Sequence, residues 1–140
     1  MLSLRRPATA GRLLAQSVRR LYQRLSAENT REARALRLLR EWLTPAQWAQ
    51  FEALGYFEVV GCDTGTQYRI YPGAMSNVCE IDEKGRPRYG LCFGTVGELP
   101  IGDVMLAQKI ALESCESSAL VVAREFIPNG FAFRRSRLLG

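Results

Sequence analysis

The 140-residue chain contains no histidine. That absence removes the usual general base, the usual metal ligand and the usual partner of a serine or cysteine nucleophile. Lysine is scarce too: Lys84 and Lys109 stand against 17 arginines, and neither lies in a motif that suggests a substitute base. No apolar run approaches the roughly 20 residues of a membrane-spanning helix. No secretory leader with an apolar core is recognised, so reduced thiols and a cytoplasmic location are expected. The four cysteines, Cys62, Cys79, Cys92 and Cys115, are spaced 17, 13 and 23 apart, and no pair has the C-x-x-C spacing of zinc or redox sites. Gly61, Gly65, Gly94 and Gly97 do not form a phosphate-cradling pattern ahead of a helix. No metal and no cofactor are expected. Internal repeats and long Gly/Ser linkers are missing as well.

What is present is a sharply divided charge. The net +5 resolves into +8 over residues 1–40, −6 over 41–125 and +3 over 126–140. An acidic body thus sits between two basic ends. The composition, 47% hydrophobic and 24% charged, is that of an ordinary globular domain.

Residues 1–26 hold six arginines and no acid. Leu14, Val18, Leu21 and Leu25, spaced 4, 3 and 4, form one helical stripe, with Arg12, Arg19, Arg20 and Arg24 on the opposite half of the wheel. The pattern predicts an amphipathic basic arm over 1–43. Its helical part spans roughly 12–43 as two helices or one with a weak joint, where Ser26, Asn29 and Thr30 offer caps. The stripe continues in phase through Glu28, Glu32, Ala35, Leu39 and Trp42. Four readings of the arm compete: docking on its own domain or a partner protein, contact with a polyanion through counterion release, a cleaved targeting segment, and a membrane-surface helix.

The body, 44–126, opens with Leu43-Thr44-Pro45-Ala46-Gln47-Trp48. Thr44 is an N-cap, Pro45 takes the first helical position, Gln47 completes a capping box, and Leu43 with Trp48 can form the hydrophobic staple. The helix is expected over 46–54, stopped by Gly55. Four strand-like runs follow, at 56–60, 67–71, 77–81 and 88–93, separated by turn chemistry that includes the hairpin signal Asp82-Glu83-Lys84-Gly85. Short spacing predicts an antiparallel meander. A helix is expected from Gly102-Asp103, with Val104, Ala107, Ala111 and Cys115 on one face, and then a short one capped by Ser117 or Ser118 through about residue 125. The fold class is therefore α+β: a four-stranded antiparallel meander covered by helices and preceded by the basic arm. A basic aromatic tail, 127–140, carries Arg134, Arg135 and Arg137.

The stretch from Leu43 to about Arg124 resembles small bacterial proteins without an assigned activity. The residues carrying the resemblance are Leu43-Thr44-Pro45-x-Gln47, Gly55-Tyr56-Phe57, Tyr68-Arg69-Ile70, Asn77-Val78, Cys92-Phe93 and the run from Gly102 to Glu113. It implies a bacterial source and no functional residue. The specificity of the last run raises Gln108, Lys109 and Glu113 as partner-facing.

The sequence thus predicts a non-enzymatic binding or adaptor module. It would dock on a protein partner or assembly, or on another copy, through Leu14, Val18, Leu21 and Leu25, with Gln108 and Lys109 as further contacts. The alternative is a nucleic-acid-binding protein using Arg12, Arg19, Arg20, Arg24, Arg134, Arg135 and Arg137. Tyr68-Arg69-Ile70-Tyr71 and Arg86-Pro87-Arg88-Tyr89 offer a stacking face for it, unless cross-strand Arg–Glu pairs consume them. A third reading is a histidine-free hydrolase with carboxylates near the 94–102 loop, drawn from Asp63, Glu80, Asp82, Glu98 and Asp103.

Overall fold

A computed structural model describes residues 16, 19–20, 30–73, 76–94 and 97–126. Of the expected arm and tail contacts, Arg12, Leu14, Val18, Leu21, Leu25 and Arg24, and Arg134, Arg135 and Arg137, lie outside the described residues. Arg19 and Arg20 are helical and exposed.

Helix α1 (Arg31–Trp42) begins where Thr30 Oγ1 accepts the Ala33 N–H at 3.1 Å, one of the expected caps. It buries Ala33, Ala35, Leu36 and Leu39, and the following Leu43 is buried too. The buried stripe is therefore turned toward Leu36 and Leu43. Trp42, expected on that stripe, is left 56% exposed.

Helix α2 (Pro45–Leu54) carries the complete capping box: Thr44 Oγ1 accepts from Gln47 N at 3.1 Å, and Gln47 Oε1 accepts from Thr44 N at 3.0 Å. Gly55 ends it in the left-handed region at φ 79°, as a residue without Cβ can do freely.

Strands β1 (Phe57–Val60), β2 (Gln67–Ile70), β3 (Val78–Ile81) and β4 (Pro87–Cys92) form the expected antiparallel meander. The β3–β4 turn closes around Asp82, whose Oδ1 accepts from Lys84 N at 2.9 Å and Arg86 N at 2.8 Å. A fifth strand, β5 (Arg124–Phe126), adds to β4 and corrects the expected four-strand count. It stands where the second C-terminal helix was expected to continue. Ala123 turns extended after the β-branched pair Val121-Val122, and the chain then pairs Glu125 with Leu91.

Between β4 and β5 run helices α3 (Ile101–Ser114) and α4 (Glu116–Val122). Pro100 gives α3 no side-chain cap, but Glu32 of α1 accepts the Ile101 N–H at 3.3 Å, placing an anion at the helix's positive end. The buried face of α3 keeps Val104 of the expected face and is turned toward Met105 and Leu112, expected to flank it. Ala107 and Cys115 are exposed, and the burial falls on Val104, Met105, Gln108 and Leu112 with Leu106 and Lys109. Helices and sheet meet in one cluster built from Leu36, Leu39, Leu43, Phe51, Phe57, Val59, Tyr68, Ile70, Val78, Leu91, Met105, Leu106, Leu112 and Ala119.

Gly102, expected to open the helix, sits inside α3 and lets α1 approach. A Cβ there would lie 2.6 Å from the Ala35 carbonyl carbon and oxygen and 2.8 Å from Leu36 N. All three are backbone atoms, so relief requires moving a helix. Gly102→Ala should cost about 3 kcal/mol in urea denaturation, against under about 1 kcal/mol for Gly94→Ala, whose Cβ meets nothing within 4 Å. Equal effects would contradict the close-approach role.

Candidate functional site

The densest polar cluster lies where the β1–β2 turn meets the start of α4. The turn is closed by Gly61 N–H to Thr66 O at 2.8 Å and Gly65 N–H to Gly61 O at 3.0 Å, with Gly65 at φ 73°. Cys62 N–H donates to Leu112 O at 3.1 Å and thereby fixes the turn on the end of α3. Into this turn reaches Glu116, a fully buried carboxylate. Its Oε1 accepts from Asp63 N at 2.9 Å and Thr64 N at 2.8 Å, and its Oε2 from Thr64 Oγ1 and Tyr68 Oη, both at 2.6 Å. A Cβ on Gly61 would collide with that carboxylate, so a side chain there would require Glu116 to move within the turn.

The connection is reciprocal. Asp63 Oδ2 accepts from Ser117 N at 2.9 Å and Ser117 Oγ at 2.7 Å, so a residue 54 positions away satisfies an N-terminal amide of α4. Cys62 Sγ accepts the Glu116 N–H at 3.4 Å. Ser117, expected as a cap, is instead capped.

Burial pushes the Glu116 carboxyl upward, but the hydrogen bonds from Thr64, Tyr68 and Asp63 outweigh it and hold the group below its ordinary value. Burial, and then the Glu116 carboxylate, push the Tyr68 hydroxyl well above the usual phenol range. Hydrogen bonds from Ser117 hold Asp63 low.

A second cluster closes the β1 edge. Gln50 Oε1 accepts the Glu58 N–H at 2.8 Å, and Gln47 Nε2 donates to Glu58 O at 3.0 Å. The outward backbone groups of Glu58 are thus met by side-chain amides instead of another strand. Gln47 also donates to Glu113 Oε1 at 3.1 Å, whose Oε2 pairs with Lys109 Nζ at 2.6 Å. A third connection joins Asn77 and Gln108 through two amide hydrogen bonds of 2.8 and 2.9 Å, with Asn77 also donating to Tyr71 O at 2.9 Å.

Gln108 and Lys109, expected to face a partner, are 4% and 5% exposed and are spent on Asn77 and Glu113. Position on α3 decides this: both lie among its buried residues. The sheet's stacking face is also occupied internally. Arg69 pairs with Glu58 at 3.3 Å and lies 4.2 Å from the Tyr56 ring centre, while Arg88 pairs with Glu80 at 3.8 Å. Near the 94–102 loop a cavity of about 190 Å³ is lined by Arg31, Arg34, Ala35, Leu38, Pro100 and Asp103, with Asp103 its one carboxylate among the described residues. Among those residues no group of three or more acids and cysteines is placed to hold a metal, and no helix is long and apolar enough to cross a membrane.

Sequence reasoning did not single out Glu116 or Gln50, and named Asn77 only within the resemblance. The one local signal for Glu116 is an acid at the joint of two helices, where an N-terminal amide always needs an acceptor. Comparison with family models, curated proteins and solved structures found no match.

Chemically, the Glu116 cluster is a tie whose acceptors are engaged. Its folded-state pKa lies below the unfolded one, so its contribution is complete above the ordinary Glu value of about 4.3 and is lost as pH falls through the depressed value. Glu116→Gln should cost about 3 kcal/mol at pH 7, and the gap to wild type should close toward pH 3 in urea denaturation. Asp82, also held low but outside this cluster, titrates in both proteins and cancels in the difference. A gap that stays constant with pH would contradict the charged tie.

For the amide pair, Gln108→Ala should cost about 2 kcal/mol, and adding Asn77→Ala should cost clearly less than its effect alone. Simple additivity would show that the two amides act separately.

Proposed function

We propose that this chain is a small non-enzymatic binding or adaptor module that docks on a protein partner through its N-terminal helices. The observation supporting this most is the two-sidedness of α1. One side is committed to the core through Leu36 and Leu39. The other presents Leu38 at 41% and Trp42 at 56% exposure, large apolar groups on one helix. Tryptophan is a frequent energetic anchor of protein interfaces. The body's carboxylates argue for the same reading over a hydrolase, because Glu116, Asp63, Glu58 and Glu80 are engaged by hydrogen bonds or arginines.

A nucleic-acid role is the second reading. It is favoured by Arg19 and Arg20, exposed on a helical stretch, and by exposed Arg31 and Arg34 on α1. The two readings separate by what weakens association. In affinity capture with the full chain, protein docking predicts that a defined partner stays bound at high salt. Leu38→Ser with Trp42→Ser should weaken that binding at least tenfold, as should polar changes at Leu14, Val18, Leu21 and Leu25. Nucleic-acid binding predicts instead that affinity for a DNA or RNA oligonucleotide falls steeply with salt and with Arg19→Glu and Arg20→Glu. If the apolar changes leave every association untouched, the docking reading fails.

A further inference from the structure

The cavity beside the start of α3 and the outward side of α1 belong to one surface. Arg31, Arg34, Leu38 and Trp42 fall within a single arc of about 80° on α1 at 3.6 residues per turn. Arg31, Arg34 and Leu38 line the cavity of about 190 Å³ together with Ala35, Pro100 and Asp103. Trp42 stands one turn beyond Leu38, and the exposed Leu99 precedes Pro100 in the chain. The close approach of α1 to Gly102 occurs at Ala35, on the cavity wall, and sets the two helices against each other there.

This surface is polarised along α1. Its N-terminal end carries the guanidinium groups of Arg31 and Arg34. Both residues are exposed, and among the described residues neither guanidinium has an ion pair or hydrogen bond. By contrast Arg69, Arg86 and Arg88 are met by Glu58, Asp82 and Glu80. Glu32, which lies between the two arginines in sequence, accepts from Ile101 N. The cavity wall therefore sets two cations against one carboxylate, Asp103. The other end of the surface is apolar. Leu38 lies four residues from Arg34, about 6 Å along the helix axis, and Trp42 stands the same distance further on.

We propose that this face docks an amphipathic acidic helix of the partner protein. Two apolar side chains of that helix, one turn apart, would seat against Leu38 and Trp42. An Asp or Glu one turn further along would reach Arg31 and Arg34. The proposal rests on the docking reading above and names the chemistry of the partner. A helix is the occupant whose side chains repeat at the interval this face presents. Arginine meets a carboxylate through parallel N–H donors, which gives the pairing direction as well as charge. A nucleic-acid backbone matches the face poorly, because its phosphates would meet Asp103 and would leave Leu38 and Leu99 without apolar cover.

The probe is a phage-displayed library of helical peptides selected on the full chain. The expected binders carry two large apolar residues roughly one turn apart and an acid roughly one turn beyond them. Arg31→Glu with Arg34→Glu should weaken a selected peptide by about tenfold or more. Exchanging the peptide's acid for lysine should restore binding to that variant and abolish binding to wild type. Both positions are exposed near the start of α1, where glutamate suits the positive helix end, and a matching thermal midpoint checks that the fold is kept. Peptides that lose binding with Leu38→Ser and Trp42→Ser but hold the charge-reversed chain equally well would overturn the acidic helix and leave the docking reading standing. Selection of no peptide, or of peptides indifferent to both pairs of changes, would overturn the proposal, while partner capture judges the docking reading separately. A DNA oligonucleotide that displaces the peptides and is itself released by the charge reversal would assign the face to a polyanion and overturn the proposal as well.

Discussion

One buried carboxylate organises the join between the first hairpin and the C-terminal helices. Glu116 would be expensive to bury alone, because an ionised group loses its water. Four donors replace that water, and three belong to the turn that Glu116 enters. The turn depends on the carboxylate for its amides, and the carboxylate depends on the turn for its solvation. The carboxylate occupies the space that a Cβ on Gly61 would need. Tyr68 extends the tie into β2 and the core, and Asp63 returns it to α4. Unpairing such a charge is far more destabilising than losing a surface ion pair.

The same pattern recurs across the body. Side-chain amides from α2 finish the β1 edge, and Asn77 with Gln108 joins the β2–β3 connection to α3. Arginines on the sheet meet glutamates on neighbouring strands. Polar groups that chemistry could use are mostly consumed in holding elements together. Among the described groups left outward are Leu38 and Trp42 on the far side of α1, and Val121 and Val122 at the end of α4.

Features encoded by neighbouring residues were legible in the sequence. The Thr44–Gln47 capping box, the Gly55 stop, the Thr30 cap and the Asp82–Gly85 turn each depend on contacts within a few positions, and the structure has them as expected. The alternation of Tyr68 and Ile70 against Arg69 likewise showed which way β2 faces. Features that depend on distant partners were not legible. Glu116 reads as one more surface acid until Asp63 and Thr64, 53 and 52 positions away, are brought to it. Gly102 reads as a helix start and no more until Ala35 of another helix lies against it. Gln108 and Lys109 read as exposed because composition does not show how α3 is rotated, and β5 was hidden because a strand of three residues carries little period of its own.

The claim that Glu116 welds the turn to the helices is tested most directly by native-state hydrogen exchange at two amides, Asp63 and Thr64. Turn amides ordinarily exchange through small local openings. Here both donate to a buried carboxylate, so they should exchange only with global unfolding and match the slowest amides of β2 in their opening free energy. If Asp63 and Thr64 exchange as fast as the exposed Glu83 amide in the β3–β4 turn, Glu116 does not hold this fold together.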